Sequence, residues 1–319
     1  MQRLERIALI EIGTNSTKLL IADVRSLDFS VRSASRLTTR IGRGLEENGR
    51  IHPHALAENI AVIRSLKRKI QAHGCGRVFA FSTFALRRAT NGAAVARRLE
   101  RIIGEPVRVL TGREEARFAY LSAMRNLRLA KPGTVIIDIG GGSTEVVAAR
   151  GGRVHYARSL DLGALHLTER FLHSDPIRPD EFAALDDHVA RITRNALRRT
   201  GITRVGPGDI DLVASGGTIG ALSRVIAGSR PRTRWAGGVV PSRISLGQTA
   251  AFLDRCLSLP LRERRRIRGL DPERADIVCA GLAVALSMMR ALGKRVLQPN
   301  AGGVREGALV HIIRNGYRW

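Results

Sequence analysis

Residues 7–18 of this chain, Ile-Ala-Leu-Ile-Glu-Ile-Gly-Thr-Asn-Ser-Thr-Lys, recur without a gap as residues 134–145, Thr-Val-Ile-Ile-Asp-Ile-Gly-Gly-Gly-Ser-Thr-Glu. Glu11 falls on Asp138, Gly13 on Gly140, Ser16 on Ser143 and Thr17 on Thr144. Each copy is an apolar run, a small polar turn and a second apolar run, which predicts a β-hairpin. Internal repetition dictates architecture. Here it implies two related α/β domains, each opening on a hairpin.

The rest of the chain fills in around the two copies. Residues 30–39 supply a third strand. Apolar residues at Leu56, Ile60, Ile63, Leu66 and Ile70 have helical spacing, which predicts a helix over 53–73. A strand at 78–81, a helix at 93–103 and a strand at 107–110 follow. Thr111 caps a helix carrying Glu114, Glu115, Phe118, Leu121 and Met124. The break at Lys131-Pro-Gly133 divides the chain into domains at 1–130 and 131–319. The second half reads as a strand at 154–158, helices at 164–172 and 179–199, and a buried strand at 210–214. A helix starts at Ile219. Residues 231–241 form a loop, helices cover 246–256 and 272–292, and a strand covers 295–298. A final helix from Val304 packs back on the first domain. Strands alternating with helices give mixed or parallel sheets.

Composition narrows the function classes. The chain has 319 residues, 44% of them hydrophobic, which suits two packed domains and excludes a disordered basic tail. Its net charge is +25, carried by 48 Arg and only 5 Lys. That charge points to polyanions, yet so lopsided a ratio also fits a general compositional bias. Aromatics make up 4%, which argues against stacking of single-stranded bases and leaves nucleic acid an unfavoured partner. Cys75, Cys256 and Cys279 stand far apart in sequence, without a disulfide framework or zinc motif. The opening residues are not a signal peptide, and the apolar stretch 277–289 is shorter than the ~20 residues that span a bilayer. A soluble, cytoplasmic protein without a membrane partner is expected.

Three turns after strands are rich in glycine and hydroxyls: Gly13-Thr14-Asn15-Ser16, Gly140-Gly141-Gly142-Ser143 with Thr144, and Ser215-Gly216-Gly217-Thr218. Glycines let backbone N–H groups approach an anion, and hydroxyls add donors. The third turn opens a helix, whose dipole favours phosphate. Together they predict a phosphate site between two domains. Neither the Walker lysine pattern nor the dinucleotide glycine fingerprint is present. Asp138 ends one strand and Glu145 starts the next, so both can face one cleft and hold Mg²⁺, with Glu11 in the equivalent place of the first copy. Arg87 or Arg88 can hold a phosphate in a fork of donors. The run Arg262–Arg268 is a solvated face or a polyanion guide. No histidine, Ser-His-Asp or Cys-His arrangement is suggested.

These residues together resemble the exopolyphosphatase / guanosine pentaphosphate phosphohydrolase (Ppx/GppA) family, of the superfamily that contains actin and the sugar kinases. Glu11-Ile-Gly-Thr-Asn-Ser16 is similar to its first phosphate loop, and Asp138-Ile-Gly-Gly-Gly-Ser-Thr-Glu145 to its second. Ser82–Asn91 is similar to its Ala-Leu-Arg segment, and Leu110–Arg117 to the segment bearing its catalytic base. Ala214–Thr218 and Val304–Gly307 match further family stretches. The resemblance implies two actin-like, ribonuclease H-like domains with a phosphate-binding cleft between them. It implies Glu115 as base, Arg87 as the transition-state arginine, and Mg²⁺ or Mn²⁺ held by Asp138, Glu145 and Glu11. The implied substrates are inorganic polyphosphate and guanosine penta- or tetraphosphate, and the implied assembly is a homodimer. Glu11 stands where the family has Asp, and the chain has the length of the short, two-domain form. A polyphosphate- or alarmone-binding regulator is the rival reading, ahead of a kinase of the same superfamily.

Overall fold

The computed structural model describes residues 4–202, 206–228 and 242–319. The loop expected at 231–241 lies outside them. Eleven strands and twelve α-helices occur among the described residues, arranged in two sheets.

The first sheet holds β1 (Glu5–Ile12), β2 (Ser16–Arg25), β3 (Asp28–Thr38), β4 (Arg77–Ser82) and β5 (Val107–Val109), in the order β3-β2-β1-β4-β5. β1 is antiparallel to β2, β2 is antiparallel to β3, and β4 and β5 run parallel to β1. Its helices are α1 (Leu45–Asn48), α2 (Pro53–Ala72), α3 (Phe84–Arg88), α4 (Gly92–Ile103) and α5 (Gly112–Asn126).

The second sheet repeats that topology. β6 (Gly133–Ile139), β7 (Thr144–Arg150), β8 (Arg153–Leu160), β9 (Ile210–Gly216) and β11 (Val296–Pro299) stand in the order β8-β7-β6-β9-β11. A two-residue β10 (Ile244–Ser245) adds an antiparallel edge on β11. The helices are α6 (Ala164–Phe171), α7 (Pro179–Thr200), α8 (Gly217–Ile226), α9 (Leu246–Leu257), α10 (Leu261–Arg264), α11 (Val278–Ala291) and α12 (Val304–Arg314). The repetition reaches single residues. The β2/β3 ladder shifts register between Ile21 and Ala22, and the β7/β8 ladder between Ala148 and Ala149, the same place in each copy. This is the expected pair of actin-like, ribonuclease H-like α/β units.

One core lies outside each sheet and a third lies between them. The shared core joins Ile7 and Leu9 of β1 to Ile136 of β6 through Phe118 of α5 and Leu309 of α12. α5 packs on β6, β7 and β8 of the second sheet, while α12 packs on α5 and β1. Central strands β1 and β6 are buried on both faces, which explains their unbroken Ile, Leu and Val runs.

One helix differs from its sequence pattern. Residues 272–292 form a 3-10 turn at Pro272–Arg274 and then α11 from Val278. Asp271 caps the turn by accepting from Glu273 N at 3.1 Å, Asp276 accepts from Arg40 Nη2 at 3.0 Å, and Arg274 lies over Gly217. Side-chain demands there override the apolar periodicity.

Candidate active site

The two hairpin turns fold alike. Gly13 N donates to Ser16 O at 3.1 Å, and Gly140 N to Ser143 O at 2.9 Å. Their carbonyls are tied away from the cleft. Thr14 O accepts from Gly42 N, and Asn15 O from Thr39 N and Arg40 N. Gly140 O and Gly141 O accept from Ala164, Leu165 and His166 at the start of α6. A trans peptide points each following N–H the opposite way. The amides of Asn15, Gly141 and Gly142 are thereby turned toward the cleft that both loops line. The turns also touch. A Cβ on Gly141 would sit 2.8 Å from Asn15 Cβ, so only glycine lets the loops close on one another. The cleft has a volume of about 530 Å³.

Four buried acids line it, Glu11, Glu115, Asp138 and Glu145, each 2–6% exposed, beside the more exposed Asp271, Glu273 and Glu306. Strand register sets two of the contacts. Glu11 lies opposite Lys18 across β1/β2, and Asp138 opposite Glu145 across β6/β7. Lys18 Nζ donates to Glu11 Oε1 at 2.6 Å. Burial, with the like charge of Glu11, pushes the Asp138 carboxyl up to about 6, against the pull of Lys18. Burial beside Asp138 pushes Glu145 up to about 7, although Ser143 Oγ and Ser159 Oγ donate to its Oε1 at 2.8 and 2.7 Å. Burial and the neighbouring Glu145 hold Glu115 well above the ordinary range, partly opposed by Arg87.

α5 explains why adjacent glutamates differ. Thr111 Oγ1 accepts from Glu114 N at 3.2 Å, and Glu114 Oε2 accepts from Thr111 N at 2.8 Å, forming a capping box. Glu114 therefore secures the helix start, and Glu115, on the inner face, is left for the cleft. Arg87 stands behind it. Arg87 donates to Glu115 Oε1, to Leu110 O at 2.7 Å and to Ser159 Oγ at 3.4 Å. It is not among the residues lining the cleft, and its contacts brace Glu115 from behind. Arg88 is exposed.

Other sequence expectations are redistributed. The Thr144 hydroxyl donates to Leu162 O at 2.5 Å and is turned out of the cleft. Ser215 is buried beside Asp138 and donates to it and to Ile137 O, and the Thr218 hydroxyl faces Gly281 of α11. Gly216 and Gly217 do line the cleft, but the space over Gly217 is taken. A Cβ there would lie 2.0 Å from an Arg274 nitrogen. Glu11, expected as a metal ligand, accepts from Lys18 Nζ. Among the described residues, no three His, Cys, Asp or Glu side chains converge as a metal cage. Asp138 and Glu145 remain as adjacent hard oxygen donors without a cation of their own, and this donor set fits Mg²⁺ or Mn²⁺ completed by substrate oxygens.

Sequence reasoning passed over three elements. Lys18 was visible only as an alignment partner of Glu145. The N-terminus of α12 meets Asp138, where Val304 N donates to Oδ2 at 3.2 Å. Arg36, Arg224 and Arg274, from β3, α8 and the 3-10 turn, form one wall of the cleft. Burial lowers the affinity of all three for their protons; repulsion from Arg36 adds to it at Arg224 and Arg274, while Asp271 and Glu273 oppose it at Arg36. Arg224 Nη2 and Arg274 Nε are buried with no partner. Residues so far apart in sequence leave no local motif.

Fold and site together define an actin-like α/β protein whose central cleft combines two glycine-rich turns with buried carboxylates. A model described as the Ppx/GppA phosphatase family matches residues 20–315, and the chain belongs to that family. It is 29% identical over 314 residues to exopolyphosphatase 1 of Mycobacterium tuberculosis, covering 96% of this chain and 87% of the relative. The crystal structure of the Aquifex aeolicus Ppx/GppA family member superposes with a TM-score of 0.77 at 28% identity, covering 99% of this chain and all of that one. An exopolyphosphatase from Cytophaga hutchinsonii shares the fold, with a TM-score of 0.86 at 20% identity over 98% of each chain. Among the described residues, no helix is long and apolar enough to cross a membrane.

Proposed function

We propose that this protein is an exopolyphosphatase, a hydrolase that releases terminal orthophosphate from inorganic polyphosphate. The observation that carries the reading is the convergence of two glycine hairpins and four buried acids on one arginine-walled cleft. Family membership supports phosphatase chemistry, and the names of the relatives support polyphosphate as the substrate class.

The terminal phosphoryl lies against the amides of Asn15, Gly141 and Gly142, where fixed donors match its oxygens. Asp138 and Glu145 would hold Mg²⁺ or Mn²⁺, which neutralises charge on the bridging and terminal oxygens when bound. Glu115 orients the attacking water and accepts its proton. Its raised proton affinity makes it a stronger base than an exposed carboxylate. Arg87 keeps that carboxylate aimed through a charge-assisted bond. The guanidiniums of Arg36, Arg224 and Arg274 in the cleft wall receive phosphates further along the chain. That wall accepts the additional phosphates of pppGpp by the same chemistry, so pppGpp is a second candidate substrate.

The test is orthophosphate release from long-chain polyphosphate and, separately, from pppGpp, with Mg²⁺ present. Saturable release from polyphosphate is expected. Saturable polyphosphate binding without release would instead support the regulator reading.

A further inference from the structure

The segment from Gly269 to Arg274 gathers opposite charges at one place in the cleft. Asp271 opens the 3-10 turn by accepting from Glu273 N, and Arg274 ends that turn. Arg224 of α8 donates its Nε to Gly269 O at 3.2 Å. Arg36 reaches over from β3 of the first sheet and forms an ion pair with Asp271. Both members of that pair line the cleft, as do Arg224, Glu273 and Arg274. Among the described residues, Asp271 is the carboxylate in ion-pair contact with this arginine wall. Its charge also opposes the loss of proton affinity at Arg224 and Arg274, so all three guanidiniums feel it.

A carboxylate at that position weakens the wall's hold on any polyanion. A phosphate oxygen and a carboxylate oxygen compete for the same guanidinium N–H groups. The Arg36 and Asp271 side chains are only 22% and 19% exposed, so water screens the competition poorly. The pair is not the sole tie between the two halves. Beside it, Arg40 Nη2 donates to Asp276 at 3.0 Å and to Glu273 O at 2.9 Å. Nor does the turn need the charge, because an asparagine oxygen caps as well as an aspartate oxygen.

We propose that Asp271 is a specificity-determining residue: a tethered carboxylate that holds the anion seat of the arginine wall until a phosphate chain displaces it. The proposal rests on polyphosphate as the substrate class. A single phosphate at the hairpins offers the wall no competing anion. A chain of several phosphates offers Arg36 a more highly charged partner than Asp271, so the seat selects for chain length. It also keeps the grip moderate, so that a chain shortened by one phosphate can advance or leave.

The experiment is calorimetric titration of orthophosphate, tripolyphosphate and long-chain polyphosphate into metal-free full-length protein. Asp271→Asn should bind both chains at least ~10-fold tighter than wild type and orthophosphate within ~2-fold, because it removes a like charge and keeps the cap. Asp271→Glu keeps the charge and should bind as wild type does. Asp180→Asn makes the same charge change at an exposed pair with Arg178 and should also bind as wild type does, which separates the seat from overall charge. With Mg²⁺ present, Asp271→Asn should lower KM for long-chain polyphosphate without raising kcat. If the ion pair served chiefly to tie the halves together, the same variant would bind more weakly and melt lower. Unchanged or weaker chain binding by folded Asp271→Asn, with wild type binding polyphosphate, overturns the proposal and leaves the substrate reading standing. Polyphosphate binding by neither protein overturns both.

Discussion

The two hairpins share a backbone and oppose each other in charge. Both close on the same glycine-to-serine hydrogen bond, and the ladders behind them break register at the same residue of the repeat. At the cross-strand pair beneath the turn, the first copy places Glu11 against Lys18 and the second places Asp138 against Glu145. The first pair neutralises itself. The second concentrates negative charge that only a proton or a cation can relieve. The repeat supplies the frame, and in the proposed mechanism one position of each copy divides the work: one hairpin grips an anion, while the other also holds a cation. The extra methylene of Glu11 fits this division, because its carboxylate meets Lys18 at 2.6 Å.

The largest effect should come from the acid that borders the second hairpin. Glu115→Gln should lower kcat by ~10²–10⁴ with an unchanged circular-dichroism spectrum, the range of a lost general base. Full turnover would remove Glu115 from the mechanism. Next is the same amide swap made in each hairpin. Glu145→Gln should lower kcat/KM at limiting Mg²⁺ by ~10–100-fold, and excess Mg²⁺ should partly rescue it. Glu11→Gln should cost less, with no metal rescue. Equal losses in the two variants would break the comparison.

Acidity sharpens it further. Asp138 near 6 and Glu145 near 7 must both lose protons to hold a cation, and Glu115, also held above the ordinary range, must lose its own to act as base, so kcat/KM should climb as pH rises through about 6–7 and level only once Glu115 is ionised. Lys18 pulls Asp138 down, so Lys18→Gln should move that acid limb to higher pH. An unmoved limb would mean that the hairpins do not communicate. The smallest effect is on stability. Glu145 has a folded pKa raised from 4.5 to about 7, so the folded state holds its proton more tightly than the unfolded chain. Metal-free stability should therefore fall as pH rises through that window, by at most about 3 kcal/mol from this group. Glu145→Gln should raise the metal-free Tm at pH 8 by a few degrees, read by scanning calorimetry, while it lowers turnover.

Much of this was legible because it is local. A gapless repeat located both hairpins, and the capping signal at Thr111 located α5. Period-two alternation could have gone further. Ser143, just before β7, and Glu145 in it point to one side, so Thr144 has to point the other way, as Thr17 does beside Thr39 and Asn59. The Lys18–Glu145 mismatch was printed in the alignment, but its meaning depends on strand register. The arginine wall was not legible. Arg36, Arg224 and Arg274 are three among 48 arginines and meet only through tertiary packing. The +25 charge is accordingly sharpened to a few buried guanidiniums in the cleft, while the run at 262–268 divides into exposed arginines and the buried Arg264.

The most direct test of the division between hairpins is calorimetric titration of Mn²⁺ into the protein with saturating orthophosphate, for wild type, Glu145→Gln and Glu11→Gln. The account predicts metal affinity at least ~10-fold weaker in Glu145→Gln and little changed in Glu11→Gln. Affinity lost in Glu11→Gln and kept in Glu145→Gln would contradict it.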